Sequence, residues 1–126
     1  MSDALKRLLE WYLPSIDPSD RVAMDVGAHL GHFSRMLIDT TGINQVIAYE
    51  ASGATSQSLR SEMLQYSATQ FTAYNLAVGK VAGTASLHSD ADTATASILP
   101  YKAGYPNNGD VNTSEVIVTT LDAEIN

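Results

Sequence analysis

Two carboxylates and two glycines are the residues of this chain best suited to chemistry. The run VAMDVGAHLG, residues 22–31, carries a short apolar stretch into an acid, Asp25, and then into Gly27 and Gly31, where a helical pattern begins. A strand that stops in a glycine turn and hands over to a helix is built to hold a nucleotide-like ligand. Glycine lets the turn tighten and the ligand approach the backbone, and the N–H groups of the helix start are expected to face it. A second apolar run, QVIAYE, delivers Glu50 about 23 residues after Gly27. Doubly wound folds place an acid on ribose hydroxyls at roughly that spacing, and a carboxylate suits the task because its two oxygens accept both hydroxyls at once.

The glycine pattern discriminates between cofactors. Dinucleotide sites usually show G-x-G-x-x-G, because a pyrophosphate must lie against bare backbone. Here the pattern is D-x-G-x-x-x-G, with Ala28 and His29 filling part of the turn and no third glycine. An acid in the turn repels a pyrophosphate and suits the positively charged amino group of a methionine-like moiety. S-adenosylmethionine carries that amino group, a ribose and an adenine, and no phosphate, so it is the expected cofactor. The competing readings are a glycine pair that merely turns the chain and strand-end acids that merely face water. His29 and His32 lie three apart at the turn, but two histidines without a third ligand make a poor metal site. No metal is expected, and His29 is expected beside the cofactor. His88 reads as a strand residue.

The elements that must position these residues follow from periodicity. Leu5, Leu8, Leu9 and Tyr12 fall at helical spacing, with Ser2 or Asp3 as N-cap and Pro14 as stop, which predicts a leading helix over 1–14. A cofactor-binding core over 22–80 follows. It comprises a strand at Val22–Val26, a helix at His32–Thr41 burying Phe33, Met36 and Leu37, and a strand at Val46–Tyr49. A helix at Ala54–Tyr66 with Leu59, Met63 and Tyr66 on one face leads to a strand at Phe71–Leu76. Alternating strands and helices imply a parallel sheet with right-handed crossovers. Over 84–122 the rhythm changes. Thr84–His88 and Glu115–Leu121 read as an antiparallel extension of the sheet, with a long loop of small polar and turn residues between them. Asp122 reads as a helix N-cap.

Composition bounds the partners. The chain has 126 residues, 44% of them hydrophobic, enough for a single α/β core. Its net charge is −7 and its seven basic residues are scattered, so no basic stripe recommends nucleic acid as a partner. There is no cysteine, hence no disulfide or thiolate metal site. No apolar run approaches membrane-spanning length and the first residues lack a signal-like apolar region, so a cytoplasmic protein with no membrane partner is expected.

With these residues assembled, the chain resembles the FkbM family of S-adenosylmethionine-dependent methyltransferases. The resemblance rests on DVGAHLGHFS at 25–34, VIAYEAS at 46–52, NLAVGK at 75–80 and VIVTTLD at 116–122, in the family's order and spacing. The family often has Asn where His29 stands and Pro where Ala51 stands. The resemblance implies a Rossmann-like class I methyltransferase fold, with helices on both faces of a parallel sheet. It implies a cofactor site drawn from Asp25, Gly27, Ala28, His29, Gly31, Glu50, Ala51, Asn75 and Ala77. Asp25 would support the methionine moiety. Asn75 and Ala77 flank the strand end where related enzymes set an acid against the adenine amine. That position holds Leu76 here, so Asn75 or backbone groups would take the adenine. The implied reaction is O-methylation of a hydroxyl on a sugar or secondary metabolite, with the catalytic base not among these residues.

Family members continue past the TLD motif with further strands, so the chain is expected to be the amino-terminal part of such a domain. A strand from that continuation would sit beside Val22–Val26. Its lack would leave a sheet edge open to self-association. Two other classes stay open: half of a nicotinamide oxidoreductase, and a non-catalytic remnant that binds a nucleoside or a protein partner.

Overall fold

Three short parallel strands hold the glycine turn. The computed structural model describes residues 3, 4, 7, 11, 17, 21–89 and 112–125. Strand β1 (Val22–Val26) pairs in parallel with β2 (Gln45–Tyr49), and β2 with β3 (Phe71–Tyr74), in the order β1-β2-β3. Helix α1 (His32–Thr41) links the first pair and α2 (Gly53–Glu62) the second.

Both helices lie on one face of this sheet. Leu37 of α1, Leu59 of α2 and Met63 close a core with Val46, Ala48 and Phe71, in which Leu59, Val46 and Ala48 are fully enclosed. Each large aliphatic side chain buried there contributes about 1.5–3 kcal/mol. Of the helices on both faces that were expected, α1 and α2 therefore both cover one face. The reason is topological: two right-handed crossovers that step in the same direction, from β1 to β2 to β3, must run over the same face. On the opposite face Val22, Val26 and Tyr74 are half exposed. β1 and β3 are the outer strands of this sheet.

The bounds of β1 and α1 match expectation; β2 begins one residue early. Helix α2 stops at Glu62 rather than Tyr66, because Met63 leaves helical geometry at φ −108° as its C-cap. The chain continues in turns, which still carry Tyr66 onto the same core. β3 stops at Tyr74 instead of Leu76.

After β3 the chain crosses into a second sheet of β4 (Ala77–Val78), β5 (Gly83–Ser89) and β6 (Asn112–Thr119), ordered β4-β6-β5. The antiparallel pairing of β5 with β6 is as expected, with Ala85 opposite Val116 and Leu87 opposite Ser114. The pair is not an extension of the first sheet, however. Parallel pairing of Ala77 with Val118 makes it part of a separate one, and β6 does not lie beside β1. Alternation along β6 buries Val116 and Val118 against Ala77 and Leu87 and turns Ile117 outward. Helix α3 (Leu121–Ile125) follows. Its cap is Thr120, whose Oγ1 accepts from the Ala123 amide at 3.2 Å, so Asp122 sits in the first turn and not at the N-cap.

Of the leading helix, Asp3, Ala4, Arg7 and Trp11 are described and helical, which puts Asp3 inside the helix. Ser2, Leu5, Leu8, Leu9, Tyr12 and Pro14 lie outside the described residues, as does the loop over 90–111. Among the described residues no helix is long and apolar enough to cross a membrane.

Candidate functional site

The carboxyl ends of β1, β2 and β3 converge on one linked cluster, built around the turn between β1 and α1. That turn needs unusual backbone. Gly27 has φ +74° and Gly31 has φ +84°, and His29 between them adopts φ +53° although it is not glycine. The two glycines differ in what surrounds them. A side chain at Gly27 would meet nothing within 4 Å, whereas a Cβ at Gly31 would stand 2.9 Å from both Leu59 Cδ1 and Met63 Sδ. Gly31 lets α1 approach α2. Gly27 keeps the surface over the turn bare.

Internal bonds hold the turn in place. The Tyr49 carbonyl accepts from the amides of Gly27 and Ala28 at 2.8 and 3.1 Å, and the Ala28 carbonyl accepts from Gly31 at 2.9 Å. The His29 amide donates to Glu50 Oε1 at 2.9 Å. The N–H groups of Gly27, Ala28 and His29 in the turn are thus spent inside the protein; the expectation that a ligand meets amides concerns the start of α1, at His32.

Glu50 follows β2 directly and is 7% exposed. Its other oxygen, Oε2, accepts from the Ser52 amide at 3.0 Å. The acid therefore splices the β1 turn to the start of α2, where Ser52 in turn caps the Thr55 amide. Glu50 is part of the core and no solvated strand-end acid. Each carboxylate oxygen keeps capacity for a second hydrogen bond, so the splice is compatible with ribose hydroxyls approaching from outside.

Asp25 is partly buried near the end of β1, and its Oδ2 accepts from the Ser34 hydroxyl at 2.6 Å. Burial pushes its carboxyl above the ordinary range; the Ser34 hydrogen bond opposes that rise, and the negative charge of Glu50 adds to it. Two acids thus stand near each other at adjacent strand ends. Such a pair attracts a cationic or hydroxyl-bearing ligand and repels an anionic one.

Asn75 closes the third strand end. Its Nδ2 donates to the carbonyls of Glu50 and Ala51, each at 2.9 Å, and the Glu50 amide donates to the Tyr74 carbonyl at 3.0 Å. Because both of its bonds use Nδ2, Oδ1 is the atom with which Asn75 would meet a ligand. Ala28 is buried in the first core, and Ala51 is half-buried against the second. Ala77 lies in β4 with its methyl group in the core of the second sheet. The structure brings Asp25, Gly27, Ala28, His29, Gly31, Glu50, Ala51 and Asn75 together around the strand ends and sends Ala77 into packing.

Three participants were not anticipated from sequence. Ser34 is fully enclosed and bonds Asp25. Ser52 caps α2, and a serine just before a helical run is a signal that could have found it. Tyr49 is 2% exposed, its ring stacked on Tyr74 with centroids 5.8 Å apart. Burial and the Glu124 carboxylate beside its hydroxyl push Tyr49 up to about 12. Two surface hollows lie elsewhere, about 370 Å³ near Lys80 and Asp122 and about 310 Å³ between Arg60 and Phe71; neither is lined by Asp25 or Glu50. No protein-family model, curated protein or solved structure matches this chain.

Proposed function

We propose that the chain holds S-adenosylmethionine across the carboxyl ends of β1, β2 and β3 and belongs to a methyltransferase acting on a hydroxyl acceptor. The observation that carries this reading is the pairing of two carboxylates, Asp25 and Glu50, around a glycine turn whose Gly27, Ala28 and His29 amides are already bonded within the protein. A pyrophosphate needs free amides and dislikes nearby carboxylates. A ligand with an ammonium group and two ribose hydroxyls needs acceptors, and acceptors are what the cluster offers. The open space over Gly27 admits such a ligand against the backbone.

In this reading Asp25 accepts from the ammonium group, Glu50 accepts from the ribose hydroxyls through its remaining lone pairs, and Asn75 Oδ1 accepts from the adenine amine. Bound there, the cofactor supplies an already activated methyl group for in-line transfer to the acceptor oxygen. The chain's contribution is to fix its orientation. A hydroxyl acceptor also needs a base near its oxygen, and in this reading Asp25 and Glu50 are occupied with the cofactor.

Calorimetric titration with S-adenosylhomocysteine and, separately, with NAD tests the proposal. Binding of the first and not the second is expected, with Gly27→Val abolishing it by placing a branched side chain over the turn. Equal affinity for both ligands, or a preference for NAD, overturns the reading.

A further inference from the structure

Resting on that reading of the strand-end cluster, we infer that Ser34 is a positioning residue for the ligand: its hydroxyl holds Asp25 in one orientation and in its charged form, and so sets how tightly, and over what pH range, an ammonium-bearing ligand binds. Ser34 sits in the first turn of α1 between Phe33 and the apolar residues that meet the sheet, yet it is 0% exposed and polar. A serine there contributes little to packing. Its one conspicuous bond is the donation to Asp25 Oδ2, and 2.6 Å is the length of a charge-assisted O–H···O⁻ bond.

That bond works against the surroundings of Asp25. Burial and the nearby Glu50 both favour the protonated acid, and the Ser34 hydroxyl favours the ionised one. Among the described residues Glu50 is the titratable group that acts on Asp25; Arg35, next to Ser34 along α1, turns to Glu62 at 3.6 Å. A protonated Asp25 would lose the negative charge that attracts an ammonium group. Occupying Oδ2 also directs the ligand to Oδ1. Ser34 acts through Asp25 and need not touch the ligand.

The test follows the Asp25 carboxyl by carbon NMR in the full chain across pH, alongside titration with S-adenosylhomocysteine over the same pH range. Ser34→Ala is expected to move the Asp25 midpoint upward and to weaken binding by up to about tenfold at pH values near that midpoint, with the deficit shrinking as pH rises and Asp25 ionises. In an Asp25→Asn background, Ser34→Ala is expected to add no further loss. Ser34→Cys, with a weaker donor of similar size, should give a smaller shift in the same direction, and it serves if the alanine variant does not fold. An unmoved Asp25 midpoint, or an equal affinity loss in both backgrounds, overturns the inference. If the unsubstituted chain fails to bind S-adenosylhomocysteine, the cofactor reading falls, while the Asp25 midpoint still decides what Ser34 does.

Discussion

The two sheets of this molecule are built on opposite principles. In the second, β4-β6-β5, strict alternation buries Ala77, Leu87, Val116 and Val118, and among the described residues every one buried there is apolar. In the first, the same kind of apolar core encloses Glu50, Ser34, Thr55 and Ser56, which are all the buried polar or charged residues among those described. The left-handed turn of Gly27, His29 and Gly31 belongs to the first unit as well. Buried polarity and backbone strain are unfavourable unless compensated, and they concentrate where structure serves a ligand. Here they cluster at the carboxyl ends of β1, β2 and β3.

The sharpest way to break that contrast is at Gly31. An alanine there keeps a left-handed φ, which disfavours L residues by about 1–2 kcal/mol, and it also forces Leu59 and Met63 apart, with overpacking adding about 1–3 kcal/mol. We expect Gly31→Ala to destabilise by about 3 kcal/mol in urea melts. Gly42 closes α1 with a similar φ of +70° and open space around it, so Gly42→Ala should show the backbone part alone, about 1 kcal/mol. Equal losses at both sites would mean that the close approach of α1 to α2 at Gly31 has no energetic weight.

Next in size is Glu50→Gln. A glutamine offers one acceptor oxygen where two amides, those of His29 and Ser52, now each have one. One buried N–H is left facing an NH₂ group, which should destabilise by about 2 kcal/mol. Ile117→Thr, on the outward face of β6 where Ile117 is 61% exposed, should stay within about 0.5 kcal/mol. A neutral Glu50→Gln in thermal and urea unfolding would return Glu50 to the role of a solvated acid.

That change of role marks what the chain does and does not reveal before it folds. β1 and α1 were legible to the residue, because an apolar run, a glycine pair and the helical spacing of Phe33, Met36 and Leu37 all agree. The β5–β6 pairing was legible from alternation. The two-residue β4 was not, since Ala77–Val78 carries no period of its own; only its pairing with Val118 and Thr119 makes it a strand. The end of β3 was misplaced because Asn75 turns its amide to the Glu50 and Ala51 carbonyls, a contact across 24 residues and more that no local pattern announces. Asp25, Gly27, Gly31 and Glu50 were legible at the strand ends for the same reason β1 was, whereas Ser34, Ser52 and Tyr49 were not and Ala77 went into the second core. The bonding of the cluster was not legible: Glu50 looks exposed at a strand end until the His29 amide, 21 residues away, folds onto it.

The last expected effect has the opposite sign. Burial and Glu50 lift the folded-state pKa of Asp25 above its ordinary value of 3.8, so the native chain holds that proton more tightly than the unfolded chain does. The stabilisation that follows is fully present below the unfolded pKa and is lost as pH rises through the folded one. Near neutrality Asp25 is therefore an ionised group that weakens the fold. Asp25→Asn keeps an acceptor for Ser34 and removes the charge. It should stabilise the chain by about 1 kcal/mol near pH 7 and by almost nothing near pH 3, where the acid is protonated in both states. Urea melts at the two pH values measure the difference. A variant no more stable near pH 7 than near pH 3, each against the unsubstituted chain, would show that the strand-end acid carries no burden. A gain confined to the higher pH, together with weaker binding of S-adenosylhomocysteine, would show that the first sheet gives up stability for its ligand site.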